Sequence, residues 1–250
     1  MQRYRLTLEY NGAPFVGWQR QENGLSIQEA LETALARLGE DARVTGAGRT
    51  DRGVHALAQT AHVDLARNWQ PFRLMEALNH HLRPAPIAVL EARRTGADFH
   101  ARYSARRRYY LYRIIQRRAP LALEAGLAWH VRYPLDLDAM REGAAALIGH
   151  HDFTTFRSVQ CQSASPIKTL DAIEIDQRGS EISICLNARS FLHNQVRSIV
   201  GTLERVGAGR WRAGRVAEVL AARDRTACGP VAPPEGLYLA GVDYPMDSGG

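Results

Sequence analysis

The sequence predicts an α+β protein of two similar α/β halves, each a mostly antiparallel sheet with helices packed on one face. Three observations carry this. Strand-period and helix-period segments follow one another along the chain. The order of elements in the second half repeats the flavour of the first, with no short-period repeat. With 250 residues, the chain suffices for one large domain or two small ones, burying about three quarters of its unfolded surface. The boundary is expected near residues 100–106. This gives an N-terminal half over 1–105, a C-terminal half over 106–244 and a frayed tail over 245–250.

The elements follow in order. "RYRLTLEY" alternates, with Tyr4, Leu6, Leu8 and Tyr10 on one face of a strand. "NGAPFVGWQRQENG" is a glycine- and aromatic-rich loop. "LSIQEALETALARLG" is a helix: Ser26 and Glu29 make a capping box, Ile27, Ala30, Leu31, Ala34, Leu35 and Leu38 the stripe, and Gly39 the stop. "AQTAHVDL" is a strand, "PFRLMEALNHHL" a helix and "IAVLEARR" a strand. "RRRYYLYRII" is β-favouring throughout, with Tyr110, Tyr112 and Ile114 on one face.

In the second half, "LDAMREGAAALIGH" is a helix, and "LDAIEID" and "EISICLNA" form a hairpin about "QRGS". "FLHNQVRSIVGTLERVG" is a helix with Leu192, Val196, Ile199, Val200, Leu203 and Val206 inward. "RVAEVLAAR" is a short helix and "GLYLAGVDY" a closing strand.

Composition narrows the class. Apolar content is 45%, ordinary for a globular protein. Cys161, Cys185 and Cys228 are odd in number, far apart and without metal-ligand spacing, which suits a reducing compartment. "MQRYRLTLEY" has no apolar signal core and no run approaches 18 apolar residues, so a cytoplasmic protein away from membranes is expected. The net charge is +6, and between Arg93 and Arg118 nine arginines face one acid, Asp98. That density fits either a polyanion partner, nucleic acid first, or a solvated basic face.

"GAGRTDRGVHA", residues 46–56, places Asp51 among glycines and arginines. Such a loop either closes a solvated turn or presents a carboxylate to a cleft. This segment resembles the signature of the TruA-type tRNA pseudouridine synthases. The resemblance extends in order through "YNGAPFVGWQRQ", "SIQEALETAL", "DFHARYSARRRYYLY", "HDFTTFRS", "FLHNQVRSIVG" and "EGLYLAGVDY", from about residue 4 to residue 244. Two positions depart from the pattern: Asn11 stands where aspartate is common, and Arg52 where a small residue is common.

The resemblance implies the pseudouridine synthase fold with its active-site cleft between the halves. It also implies a cofactor-free, metal-independent conversion of uridines 38 to 40 of the tRNA anticodon arm, and a homodimer. Extruding a paired base costs a few kcal/mol. Asp51 is then the catalytic nucleophile or base. It could attack ribose C1′, add to uracil C6 or assist loss of the C2′ proton, and the sequence leaves all three open.

Arg197 is its expected ionic partner; a cation within roughly 4–6 Å lowers a carboxylate pKa by about 1–3 units. Tyr110, first of the Tyr110-Leu111-Tyr112 pattern, is the stacking residue and a possible proton donor. Arg49 fills the gap left by the extruded base or grips its phosphate. Arg102, Arg106, Arg107 and Arg108 are assigned to the phosphate backbone. No histidine or cysteine spacing matches a metal site.

Two other functions compete. One is a non-catalytic RNA-binding module using the same basic-aromatic cleft, although a pure binder has no use for a carboxylate among its arginines. The other is a phosphate-cradling loop, which here lacks the lysine-serine/threonine end of a P-loop.

Overall fold

The computed structural model describes residues 1–245; residues 246–250 of the expected tail lie outside them. In chain order the elements are β1 (Gln2–Tyr10), α1 (Ile27–Arg37), β2 (Thr45–Gly46), β3 (His55–Leu65), α2 (Pro71–Leu82), β4 (Ile87–Thr95), β5 (Arg107–Gln116), β6 (Trp129–Val131), α3 (Leu137–Ala145), β7 (Gly149–Asp152), β8 (Ile167–Arg178), β9 (Glu181–Ala188), α4 (Gln195–Gly207), α5 (Arg215–Ala222) and β10 (Leu237–Asp243). The fold is α+β with mostly antiparallel pairing, as the sequence predicts. It divides into two units: Met1–Arg108 with the chain from Tyr238 onward, and Tyr109–Leu237.

In the first unit the strands lie in the order β4-β1-β3-β10, with β2 paired to β3. β1 runs antiparallel to both neighbours, Leu6 facing Ala61 on β3 and Ala92 on β4. Its predicted inward face, Tyr4, Leu6, Leu8 and Tyr10, is buried throughout. α1 starts where Ser26 Oγ accepts the Glu29 N–H at 3.1 Å. It stops at Gly39, whose φ of +77° only glycine adopts cheaply. α2 matches the expected helix end to end, burying Leu74, Leu78 and Leu82, and packs against α1 and β4.

One boundary differs from the expected division at 105/106 and 244. β10 belongs with the first unit, not the second. It pairs parallel with β3, Tyr238 opposite His55 and Leu239 opposite Ala56. Beyond it, the Tyr244 ring packs on Phe99 at 5.0 Å and its hydroxyl donates to the Ala101 carbonyl at 2.6 Å. Alternation marks a strand but does not name its partner, so a long-range parallel pairing leaves no local trace.

The second unit holds β5-β9-β8-β7, with β6 parallel to β5. β8 and β9 form the expected hairpin, Arg178 opposite Glu181. α4 buries Val196, Ile199, Val200, Leu203 and Val206 of the predicted stripe and also Ser198 and Thr202, and Leu192 is buried just ahead of it. It begins at Gln195, four residues later than predicted, because Asn194 is left-handed at φ +63°. α3 ends at Ala145, and Gly149, at φ +113°, turns the chain into β7.

His62 on β3 supplies a pH dependence. Burial first, then the positive charge of His100 and Arg3, push its pKa down to about 4. Its neutral Nδ1 accepts the Ala101 N–H at 3.2 Å. Between about pH 6.5 and 4 the unfolded chain therefore binds a proton that the folded chain refuses. Stability from this site is complete above pH 6.5 and is lost as pH falls toward 4. The loss by pH 5 is expected to be on the order of 1 kcal/mol after allowance for screening. Urea midpoints at pH 7 and pH 5 test this: the drop should shrink in His62→Gln, and an equal drop in both proteins refutes it.

Candidate active site

The Asp51 loop is fixed on both sides of the carboxylate. On the N-terminal side, Thr50 is buried. Its Oγ1 lies 2.8 Å from the Tyr10 hydroxyl, and its carbonyl accepts the Trp18 N–H at 2.9 Å. Gly17, at φ +119°, passes so close that an added Cβ would meet that carbonyl oxygen at 2.7 Å. Trp18 also closes over Gly46, where a Cβ would meet the indole at 2.5 Å. Further hydrogen bonds from Gln28 N–H to the Trp18 carbonyl and from Ile27 N–H to the Gly17 carbonyl tie this loop to the start of α1.

On the C-terminal side, the Val54 N–H donates to the Asp51 carbonyl at 3.1 Å and closes a four-residue turn. Gly53 holds its third position at φ +77°. His55 is buried; its Nδ1 accepts the Gly12 N–H at 3.0 Å and its ring stacks on Tyr238 at 4.7 Å. Gly12 lies against the Val54 carbonyl, where a Cβ would stand 1.9 Å from the oxygen. Asp51 thus sits half-buried between two anchored neighbours, flanked by exposed Arg49 and Arg52. The backbone that carries this carboxylate is held by the fold itself.

Arg108 departs from its expected place among the phosphate-binding arginines. It is buried, with Nε and Nη2 donating to the Ala47 carbonyl at 3.2 and 2.8 Å, and Nη2 also to the Arg102 carbonyl at 2.8 Å. It braces the Asp51 loop and does not face solvent. The strand's own alternation contains the reason: two residues before Tyr110, it shares the face that buries Tyr112 and Ile114. Arg102, Arg106 and Arg107 are exposed.

The second unit holds Tyr110 and Arg197. Tyr110 is half-buried and meets Phe191 edge to face at 5.0 Å. Its neighbour on the same face, Tyr112, is fully buried, with its hydroxyl donating to the Pro233 carbonyl at 2.7 Å. Burial, and then the charge of Glu235, push the Tyr112 phenol well above its ordinary pKa. Arg197 lies in the first turn of α4. Its Nε donates to the Ala232 carbonyl at 2.7 Å and its Nη1 to Asn194 Oδ1 at 3.2 Å, while the Ala232 N–H returns to the Arg197 carbonyl at 3.0 Å. The Phe191–Arg197 segment therefore carries one group that packs Tyr110 and another that fixes a guanidinium.

Sequence reasoning missed the supports Thr50, His55 and Gly12, and the bracing role of Arg108. The one sequence signal that could have found any of these is strand alternation, and only for Arg108. Among the described residues no three His, Cys, Asp or Glu side chains are grouped to hold a metal ion, and no helix is long and apolar enough to cross a membrane.

The chain is similar to known proteins along its whole length. A family model described as tRNA pseudouridine synthase matches residues 7–104 and 144–245. A protein of Dinoroseobacter shibae named tRNA pseudouridine synthase A is 63% identical over 252 residues, spanning 99% of this chain and 98% of that protein. Proteins of the same name from Paracoccus denitrificans and Maricaulis maris are 61% and 57% identical, each alignment spanning 98% of this chain and 97% and 99% of those proteins.

Proposed function

The chain belongs to the tRNA pseudouridine synthase family, and on that premise we propose that it isomerises tRNA uridine with Asp51 as the reacting carboxylate. The observation that carries this reading is the double anchoring of the Asp51 loop, through Thr50 on one side and Val54–His55 on the other. A turn that merely capped a strand has no need of such support.

The chemistry suits the residues. The N1–C1′ bond breaks, the uracil turns, and a C5–C1′ bond forms; the C5 proton leaves and N1 gains one. No electrons are gained or lost, so the reaction itself asks for no redox cofactor. Asp51 serves as nucleophile or base, Arg197 as its ionic partner, Tyr110 as the stacking ring and Arg49 as the wedge or phosphate grip. Arg102, Arg106 and Arg107 follow the RNA backbone. The uridines are those at positions 38 to 40 of the anticodon arm, and the enzyme acts in the cytoplasm as a homodimer without metal or cofactor, as the family resemblance implies.

The test is release of tritium from tRNA transcripts labelled at uracil C5, since forming the C5–C1′ bond must expel that hydrogen. Release, with pseudouridine mapped to positions 38 to 40, is expected. Binding without release, across several tRNAs, would leave the RNA-binding module instead.

Arg197→Ala is expected to cut turnover by roughly 100-fold, the scale seen when one preorganised charge-stabilising donor is lost, with tRNA affinity changed far less. Single-turnover rates beside equilibrium binding separate the two. Lost binding with normal turnover would assign Arg197 to RNA contact alone.

A further inference from the structure

Tyr103 presents its ring to solvent at 73% exposure, yet the loop beneath it is held by a dense set of bonds. The His100 N–H donates to Ser104 Oγ and the Ser104 N–H to the His100 carbonyl, both at 2.9 Å. The Arg102 and Tyr103 N–H groups both reach His100 Nδ1, at 3.2 and 3.3 Å. Arg108 holds the Arg102 carbonyl from below, and Ala101 is fixed by His62 and Tyr244. The Tyr103 ring lies 4.3 Å from that of His100 at 33°, and His100 lies 4.7 Å from His62. Burial, and then Arg3, keep the His100 pKa below its ordinary value, so the backing ring is neutral at neutral pH.

A single exposed aromatic ring is ordinary on a protein surface and implies nothing by itself. Here the loop is braced, the ring is backed by a second ring, and the Arg102 guanidinium stands beside it. The Arg102 guanidinium is 5.8 Å from the Tyr103 ring centre, and Arg106 is exposed nearby in sequence. Nucleobases dock on such sites: the ring takes the base face and an exposed arginine takes the adjoining phosphate.

We infer that Tyr103, backed by His100, is a stacking platform for an unpaired base of the tRNA substrate, with Arg102 on the neighbouring phosphate. This site is separate from the groups assigned to Asp51 chemistry, and it rests on the reading of the protein as an enzyme of tRNA. Stacking and charge leave different signatures. Loss of one stacked base weakens binding equally at every salt concentration, whereas loss of one phosphate contact lowers the salt slope by about one.

The test measures tRNA dissociation constants and steady-state kinetics for wild type, Tyr103→Ala, Tyr103→Leu, Tyr103→Phe and Arg102→Ala between 50 and 200 mM salt, ~the range over which phosphate contacts are resolved. Tyr103→Ala is expected to weaken binding roughly tenfold with an unchanged slope, the effect falling on KM and not on kcat. Tyr103→Leu should lose as much, because bulk without a π face cannot stack, and Tyr103→Phe should bind as wild type. Arg102→Ala should flatten the slope. Wild-type affinity in Tyr103→Ala or Tyr103→Leu overturns the proposal. Tritium release by the wild type is read separately, so failure of the platform and failure of the synthase reading cannot be confused.

Discussion

Asp51→Asn is expected to lower pseudouridine formation by roughly 1,000-fold or more, the scale on which removal of a reacting group acts, while tRNA binding survives. Asparagine matches aspartate in shape. The contact that closes the turn uses the Asp51 backbone carbonyl, not its carboxylate. The anchors on Thr50 and His55 do not involve the side chain at 51 either. The substitution removes charge, nucleophilicity and basicity together and leaves these anchors in place. C5 tritium release and filter binding, run on the same preparation, give the two readings. Turnover within about tenfold of wild type would show that another group performs the chemistry, since removal of an essential reacting group costs several orders of magnitude.

Gly12→Ala should act on the same reaction without touching the carboxylate. A Cβ at position 12 would stand 1.9 Å from the Val54 carbonyl oxygen and 2.6 Å from its carbon. Both partners are backbone, so no side chain can swing aside. Either the 11–16 loop or the Asp51–Val54 turn must shift by about an ångström, and displacement on that scale costs about 100-fold in rate. The overlap should also destabilise the fold by about 1–3 kcal/mol.

Gly126→Ala is the control. Gly126 is left-handed at φ +75° but has nothing within 4 Å of its Cβ direction. It should cost about 1–2 kcal/mol through backbone strain and leave turnover intact. A Gly12→Ala enzyme of normal turnover would mean that the Asp51 turn is not held where chemistry needs it.

The sequence alone determined most elements and the family. Period-two alternation placed β1 and the buried face of β5, because a strand's two faces meet different solvents. Helical stripes and the Ser26 cap placed α1, because apolar spacing and an oxygen acceptor at the N-terminus are local requirements. Ordered motifs across the chain pointed to the family and its reaction, and Asp51, Arg197 and Tyr110 are the residues they propose for it.

Only the tertiary structure decided where β10 pairs, how Arg108 is spent, and why Gly12 and Gly17 must be glycine. Each depends on atoms brought together from distant parts of the chain: the β3 edge for β10, the Ala47 and Arg102 carbonyls for Arg108, and the Val54 and Thr50 carbonyls for the two glycines. Local sequence encodes what a residue does to its own backbone and which face it turns inward. Partners contributed by another segment are fixed by packing, so they become visible only once the chain is folded.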